Sequence, residues 1–253
     1  MTGSRPVVRP GAASCVRRFD SSLCVGRMVF VLVHSPLVGP STWRPVALEL
    51  ERRGHRTTVP SLLDGTTRRT WQSDAQAVLD VLGGREPIIL VGHSGGGLLL
   101  PVIADAAVSP VAELVFVDSD VPPKTGAAPF MPARFLEEFR RLAVDGLLPP
   151  WSEWWGEDVM RDLVPDEKLR ADLVRETPSL PLAYLEQRIP SPRGWDEVPC
   201  AYLLLSEAYQ GAAAEAVARG WQVEKLPDAQ HLHIAVAPQA VADALIRLHP
   251  PSQ

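Results

Sequence analysis

Residues 28–121 alternate short, wholly apolar runs with longer segments in which apolar side chains recur at helical spacing. The runs are typical of strands buried on both faces, and the spacing in the longer segments is typical of helices with one buried face. Strands that alternate with helices form parallel βαβ units, in which helices cover both faces of an open sheet. The sequence therefore predicts an α/β protein with a doubly wound, mostly parallel sheet.

The same alternation returns at residues 197–253, so we assign 28–121 and 197–253 to one core. Glycine and proline residues mark the ends of its elements. The predicted strands are 28–33, 56–59, 87–91, 111–117, 200–205 and 221–226. The predicted helices are 41–53, 70–82, 98–107, 211–219 and 238–248.

Residues 122–196 interrupt the alternation, and only helical segments are predicted there, at 132–144, 152–163 and 166–176. Four tryptophans lie among these segments: Trp151, Trp154, Trp155 and Trp195. A helical insertion of this kind often forms a cap over an active-site crevice. It can also be an ordinary helical subdomain with the tryptophans as its core, and the two interpretations are compatible because a cap needs a core.

Residues 1–27 differ from the rest of the chain in charge. They carry five arginines and a single acid, Asp20, and they lack the continuous apolar stretch of a secretory signal. Three interpretations are open: a flexible basic arm, an added first hairpin, or an extension upstream of a start at Met28. We favour a weakly ordered extension, because Met28 leads directly into a predicted strand.

Composition argues against several other classes of protein. No apolar run reaches the roughly 18 residues that a membrane span needs. The net charge of −5 argues against nucleic-acid binding. The three scattered cysteines form neither a disulfide framework nor a metal-ligand set, which favours a cytoplasmic location. No metal or organic cofactor is predicted, and the predicted partner is a small-molecule substrate, with a homodimer left open.

The sequence Gly92-His93-Ser94-Gly95-Gly96 fits the pattern G-x-S-x-G and lies between a predicted buried strand and a predicted helix. This is the setting in which the pattern marks a nucleophilic serine. The tight turn strains the backbone of the serine, so its neighbours must be nearly free of side chains. Ser94 is then expected at the carboxyl edge of the sheet, beside the positive end of the following helix. The alternative is an incidental serine in a glycine-rich turn.

With this motif the chain resembles proteins of the α/β-hydrolase fold over residues 28–248, nearest the compact, capped esterases, lipases and hydroxynitrile lyases. Its other marks are His34 after the first strand with Trp43 downstream, the insertion after the fourth strand, and a histidine near the C-terminus. The resemblance implies a Ser-His-acid triad, in which the histidine takes the proton of the serine and a carboxylate orients the histidine.

The resemblance assigns the base to His231, which follows the last predicted strand and precedes Pro238 and the final helix. His233 is the nearby alternative. His34 resembles a structural histidine of the oxyanion loop. His93 is interpreted as a packing or turn residue beside the substrate.

The acid of the triad is less clearly marked. In most relatives it follows the strand predicted at 200–205, where this chain has Glu207 and no aspartate. Asp118 ends the strand at 111–117, where some members, such as certain haloalkane dehalogenases, carry the acid. We therefore predict Asp118, with Glu207 and then Asp120 as alternatives. A carboxylate that merely caps the strand end is the other interpretation of Asp118.

The oxyanion loop departs from the family pattern. One donor is the backbone N–H of Gly95, directly after the nucleophile. In relatives the second donor follows a His-Gly pair, but this chain reads His34-Ser35-Pro36-Leu37, and proline has no N–H. The N–H of Leu37, or the hydroxyl of Ser35, has to take its place.

The leading hypothesis is a serine hydrolase that cleaves a carboxylic ester or thioester through an acyl enzyme. The tryptophans of the insertion favour an apolar or aromatic substrate. The predicted substrate-binding residues are Ser35, Pro36, His93, Trp151, Trp154 and Trp155. One alternative is a lyase, cyclase or epimerase that uses the same Ser-His pair as acid and base, which the proline in the oxyanion loop favours. Another is a noncatalytic ligand-binding member of the fold.

Overall fold

The computed structural model describes residues 28–63, 69–84 and 86–249. Its strands are β1 (Val29–Val33), β2 (Arg56–Thr58), β3 (Ile88–His93), β4 (Val111–Val117), β5 (Gly126–Pro129), β6 (Leu147–Leu148), β7 (Leu180–Pro181), β8 (Arg188–Ser191), β9 (Cys200–Leu204) and β10 (Gln222–Lys225). Its α-helices are α1 (Arg44–Arg52), α2 (Trp71–Val81), α3 (Leu100–Ala106), α4 (Ala133–Leu142), α5 (Glu157–Leu163), α6 (Glu167–Arg175), α7 (Leu182–Leu185), α8 (Gln210–Ala218), α9 (His233–Val236) and α10 (Pro238–Leu248). The interpretation of residues 1–27 as a weakly ordered extension lies outside the described residues. Within the described ranges, no helix has the length and apolar character to cross a bilayer.

Six strands form one sheet in the order β10-β9-β4-β3-β1-β2, and every neighbouring pair is parallel. This confirms the predicted doubly wound, parallel sheet. The chain runs from β1 to β2 on one side and then returns to β3 on the other side of β1. The carboxyl ends of β1 and β3 therefore flank a topological switch point, which is where open α/β sheets bind ligands.

Helices cover both faces of the sheet because alternate residues of each strand point in opposite directions. Phe30 of β1 packs in one cluster with Leu245 of α10. Its neighbour Val31 packs in the opposite cluster with Val78 of α2. The strands read as continuous apolar runs because both faces are buried, which is why they could be recognised in the sequence.

The helix after β3 starts differently from the prediction of 98–107. A 3₁₀ helix at Ser94–Leu99 precedes α3, which begins at Leu100. Pro101 lies in the first turn of α3, where its missing N–H costs no hydrogen bond. The chain therefore turns tightly through the glycines before the regular helix begins.

Residues 122–196 are not made of helices only, so that prediction is wrong. β5 pairs with β8, and β6 pairs with β7, both in antiparallel fashion. These strands have two or four residues, too few for an apolar period to identify them. The predicted helix 152–163 is also divided, because Gly156 adopts a φ of 84° between a 3₁₀ turn at Trp151–Glu153 and α5.

Candidate active site

Ser94 lies at the sharp bend that follows β3. Its φ of 53° is in the left-handed region, which costs free energy for a residue with a side chain. A Cβ atom on Gly92 would lie 2.7 Å from the Cα atom of Gly97, and one on Gly96 would lie 2.7 Å from the carbonyl oxygen of His34. Glycine is therefore required at both positions, and the bend packs directly against the end of β1.

Asp118 follows β4 at the next bend along the carboxyl edge, again with a positive φ, of 45°. Its side chain is fully buried. The backbone N–H groups of Leu205 and Ser206 donate to Oδ1 at 2.9 and 2.8 Å, and the Ser206 hydroxyl donates to Oδ2 at 2.6 Å. The loop after β9 thus supplies three hydrogen bonds that hold the carboxylate in one orientation.

His231 contacts this carboxylate, with 2.7 Å between its Nδ1 atom and Oδ2 of Asp118. Burial raises the pKa of Asp118. The hydrogen bond and charge of His231 and the donors of Ser206 together lower it by more, so the pKa lies below its ordinary value. The ionised carboxylate keeps the histidine proton on Nδ1. Nε2 is then the ring nitrogen able to accept a proton.

His93 lies behind His231 and is itself fully buried. Its Nε2–H donates to the carbonyl oxygen of His231 at 2.9 Å, and the two ring centroids are 4.5 Å apart. Burial and the neighbouring His231 ring lower the pKa of His93, so the side chain is neutral. His93 therefore supports the loop that carries His231.

Tyr209 contacts both Ser94 and His231, and the sequence analysis did not identify it as a site residue. Its ring stacks on the His231 ring with 5.3 Å between centroids and 12° between planes. Its hydroxyl is hydrogen-bonded to Ser94, which lowers the pKa of the phenol, but burial outweighs this and raises the pKa to about 12. The phenol is therefore neutral at physiological pH. Only its place in the loop after β9, at the carboxyl edge of the sheet, could have pointed to it.

Ser94 and His231 both line a cavity of about 550 Å³, a volume suited to a small organic molecule. Half of the residues that line it come from the segment 122–196. The aromatic ones are Phe130, Phe135, Phe139, Trp151, Trp154 and Trp155. Trp154 and Phe139 are also buried, with 4.5 Å between their ring centroids. Trp154 therefore belongs both to a hydrophobic cluster and to the cavity wall, and the cap stays a prediction.

Three of the predicted substrate-binding residues do not line this cavity. Ser35 and Pro36 are buried in the turn after β1, and His93 is buried behind His231. Trp151, Trp154 and Trp155 do line it. Ser35, Pro36 and His93 therefore lie outside the cavity wall, and direct substrate contact by these three residues stays a prediction.

The alternative acids and the alternative base lie apart from the His231–Asp118 contact. Glu207 is exposed on a 3₁₀ turn and is not part of the cavity wall, so the structure does not support it as the partner of His231. Asp120 lines the cavity, whose walls raise its pKa against the opposing charge of Arg134. His233 accepts a hydrogen bond from the N–H of Gln230 at 3.0 Å and stays within its own turn. Within the described ranges, no three or more His, Cys, Asp or Glu side chains group as metal ligands.

Both expected oxyanion donors, Gly95 and Leu37, border the cavity. The carbonyl oxygen of Ser35 accepts from the N–H of Val38 at 3.1 Å, which closes a β-turn with Pro36 at its second position. The Leu37 N–H lies 3.4 Å from the Ser35 Oγ, at the long end of the hydrogen-bond range. This weak partner leaves the N–H available to a stronger acceptor.

His34 fixes the start of this turn and has no place in the cavity wall. Its Nδ1–H donates to the Ser35 carbonyl oxygen at 2.8 Å, and its Nε2 accepts from the N–H of Leu62 at 3.0 Å. Burial lowers its pKa to about 4. The neutral ring therefore joins the end of β1 to the loop after β2.

The two buried histidines predict that the fold is sensitive to mild acid. His34 and His93 have pKa values lowered from 6.5, so the unfolded chain binds more protons than the native protein below that pH. We expect the free energy of unfolding to fall as the pH decreases from 6.5 toward 4, by up to about 1.4 kcal/mol per pH unit for each histidine. Urea unfolding across this range measures the slope. The His34→Gln variant should have a smaller slope, and an unchanged slope would contradict the prediction.

Comparison with known proteins finds relatives in both sequence and structure. A model described as the alpha/beta hydrolase family matches residues 30–244. The chain is 30% identical over 249 residues to the carbendazim hydrolyzing esterase of Nocardioides sp. (strain SG-4G), covering 87% of this chain and 98% of that protein. It is 27% identical over 250 residues to methylesterase 8 of Arabidopsis thaliana, covering 87% and 88%. A solved structure of an extracellular alpha/beta-hydrolase from a Paenibacillus species superposes with a TM-score of 0.71 at 19% identity, covering 87% and 98%.

Proposed function

We propose that this chain, which belongs to the alpha/beta hydrolase family and is a hydrolase of esters, acts through a triad of Ser94, His231 and Asp118. Its proposed substrates are carboxylic esters with an apolar or aromatic group. The observation that carries the proposal is the 2.7 Å contact between Nδ1 of His231 and the buried Asp118 carboxylate. His231 lines the same cavity as Ser94, whose backbone is strained. Nucleophile, base and orienting acid are thus supplied by three loops at one sheet edge.

In the proposed reaction, Nε2 of His231 takes the proton of the Ser94 hydroxyl as the serine oxygen attacks the ester carbonyl. The positive charge that forms on the imidazole is stabilised by the carboxylate of Asp118. The N–H groups of Gly95 and Leu37 donate to the carbonyl oxygen as it becomes negative. His231 then gives its proton to the leaving alcohol, and a water molecule, activated by the same histidine, hydrolyses the acyl enzyme.

Asp118 can act as the acid of the triad because the loop after β9 donates hydrogen bonds to its carboxylate. In this chain that loop places Leu205 and Ser206 as donors to the carboxylate. These hydrogen bonds favour the ionised form and fix its direction toward His231. The acid therefore comes from the end of β4, and the loop after β9 orients it.

The substrate class follows from the cavity wall. We propose that residues 122–196 form a cap over a core of 28–121 and 197–253, and that the aromatic side chains of the cap hold an apolar acyl group. Relatives named as methylesterases support an ester of a small alcohol. Their names also favour hydrolysis over the lyase, cyclase or epimerase reaction and over noncatalytic binding.

A fluorophosphonate probe followed by mass spectrometry tests the proposal. We expect a covalent adduct on Ser94, together with turnover of nitrophenyl esters that is faster for a phenylacetyl than for an acetyl group. The comparison of the two acyl groups tests whether the aromatic side chains of the cavity bind an apolar acyl group. An absence of label on Ser94 would contradict the proposed nucleophile, and labelling without turnover of any ester would contradict hydrolysis.

A further inference from the structure

Arg69 donates a hydrogen bond to the Pro36 carbonyl group, in the turn that contains the expected oxyanion donor Leu37. Its side chain is buried, and its Nε and Nη2 atoms donate to the two carboxylate oxygens of Asp74 at 3.0 and 3.1 Å. Its remaining nitrogen, Nη1, donates to the carbonyl oxygen of Pro36 at 3.1 Å. Asp74 also accepts from the hydroxyl of Tyr184 at 2.5 Å. A buried, hydrogen-bonded cation therefore connects helix α2, the segment 122–196 and the loop after β1.

The Pro36–Leu37 peptide bond relates this contact to the oxyanion donor. The described residues contain no cis peptide, and a trans peptide places its C=O and N–H on opposite sides. The carbonyl group of Pro36 points to Arg69, so the N–H of Leu37 points away from Arg69. Leu37 is itself part of the cavity wall, and the Pro36 ring lies against Gly95, the other expected donor.

The ion pair with Asp74 alone does not explain this arrangement. Two of the three guanidinium nitrogens satisfy the carboxylate, and a buried ion pair adds little stability because both charges lose their hydration. The third nitrogen donates to the carbonyl group of the peptide that contains the replacement donor. A cation on that carbonyl oxygen also polarises the peptide and strengthens its N–H as a donor.

We propose that Arg69 is a positioning residue of the oxyanion hole, which holds the Pro36–Leu37 peptide so that the Leu37 N–H faces the reacting carbonyl oxygen. Proline removes the usual donor from this loop, and Arg69 makes the next N–H serve in its place. This inference rests on the proposed function, because it requires an oxyanion to form on the substrate bound to Ser94.

The Arg69→Lys variant tests the role. Lysine keeps the charge opposite Asp74, but its single ammonium group cannot reproduce the planar fork that contacts both Asp74 and the Pro36 carbonyl. We expect kcat for an aromatic nitrophenyl ester to fall about 10- to 100-fold, with KM nearly unchanged, because a misplaced donor weakens mainly the transition state. A trifluoromethyl ketone adds to the serine and forms an oxyanion, so its affinity should fall by the same factor. The matched control is Arg53→Lys, an arginine bound to Glu49 and Asp243 away from the cavity, which should leave both quantities unchanged.

The outcomes separate this inference from the proposed function. If the wild-type protein neither labels at Ser94 nor turns over esters, the proposed function is wrong and Arg69 has no oxyanion donor to position. If the wild type is active and Arg69→Lys retains its kcat and its affinity for the ketone, only the inference fails. It fails equally if kcat per fluorophosphonate-titrated site is unchanged, since the loss then reflects unfolded protein. Should Arg69→Lys not fold, the triple variant Arg69→Met, Asp74→Leu, Tyr184→Phe removes both charges together, and the same losses are expected.

Discussion

The Ser94→Ala variant should lose about 10⁴- to 10⁶-fold in kcat/KM for an aromatic nitrophenyl ester and all labelling by a fluorophosphonate. The alanine methyl group cannot attack a carbonyl, and the remaining rate comes from binding and the oxyanion donors alone. Steady-state assays and mass spectrometry of the treated protein measure the two losses. Ser61→Ala, which changes an exposed serine elsewhere, serves as the control for the substitution itself.

A Ser94→Gly variant separates lost chemistry from lost structure. Glycine adopts the φ of 53° at this position without strain, so the variant should melt at or above the wild-type temperature while remaining inactive. Activity retained in either variant would exclude Ser94 as the nucleophile.

The Asp118→Asn variant should lower kcat about 10⁴-fold, whereas Glu207→Gln should leave it unchanged. The amide of asparagine can present its NH₂ group to His231, which moves the imidazole proton from Nδ1 to Nε2 and removes the base that faces Ser94. Parallel assays of both variants, with thermal unfolding to verify folding, decide which carboxylate acts.

Glu207→Gln is a matched control because it makes the same change from acid to amide on the loop that follows β9. A loss confined to Glu207→Gln would reverse the assignment of the acid. Full activity in both variants would remove the acid from the proposed mechanism.

The core of the fold was predictable because its information is local. β1, β3 and β4 are buried on both faces, so each appears in the sequence as an unbroken apolar run. Ser94 was predictable because a tight bend demands glycine around it, and the comparisons confirm the family resemblance built on that motif. The position of Asp118 at the end of a clear strand was predictable, but the sequence left Glu207 and Asp120 as alternatives until the structure showed the contact between Asp118 and His231.

The contacts that depend on distant loops were not predictable. Tyr209 stacks on His231, and Arg69 donates to the Pro36 carbonyl, yet no spacing in the sequence connects these pairs. The short strand pairs of residues 122–196 were missed for the same reason, since a strand of two residues carries no period. The burial of His93 was not predictable either, because the His231 segment that lies against it is 138 residues away in the sequence.

Phe139 and Trp154 belong both to the hydrophobic core and to the cavity wall, which limits how the cavity can change during evolution or design. Both rings are nearly inaccessible to solvent and also line the cavity that contains Ser94 and His231. Shortening either one to admit a larger acyl group removes packing worth about 3–5 kcal/mol, a large part of the 5–15 kcal/mol that usually separates a folded domain from its unfolded chain. Variants with a broader substrate range are therefore expected to arise first at Trp155, whose ring is 47% exposed, where a smaller side chain leaves no buried void.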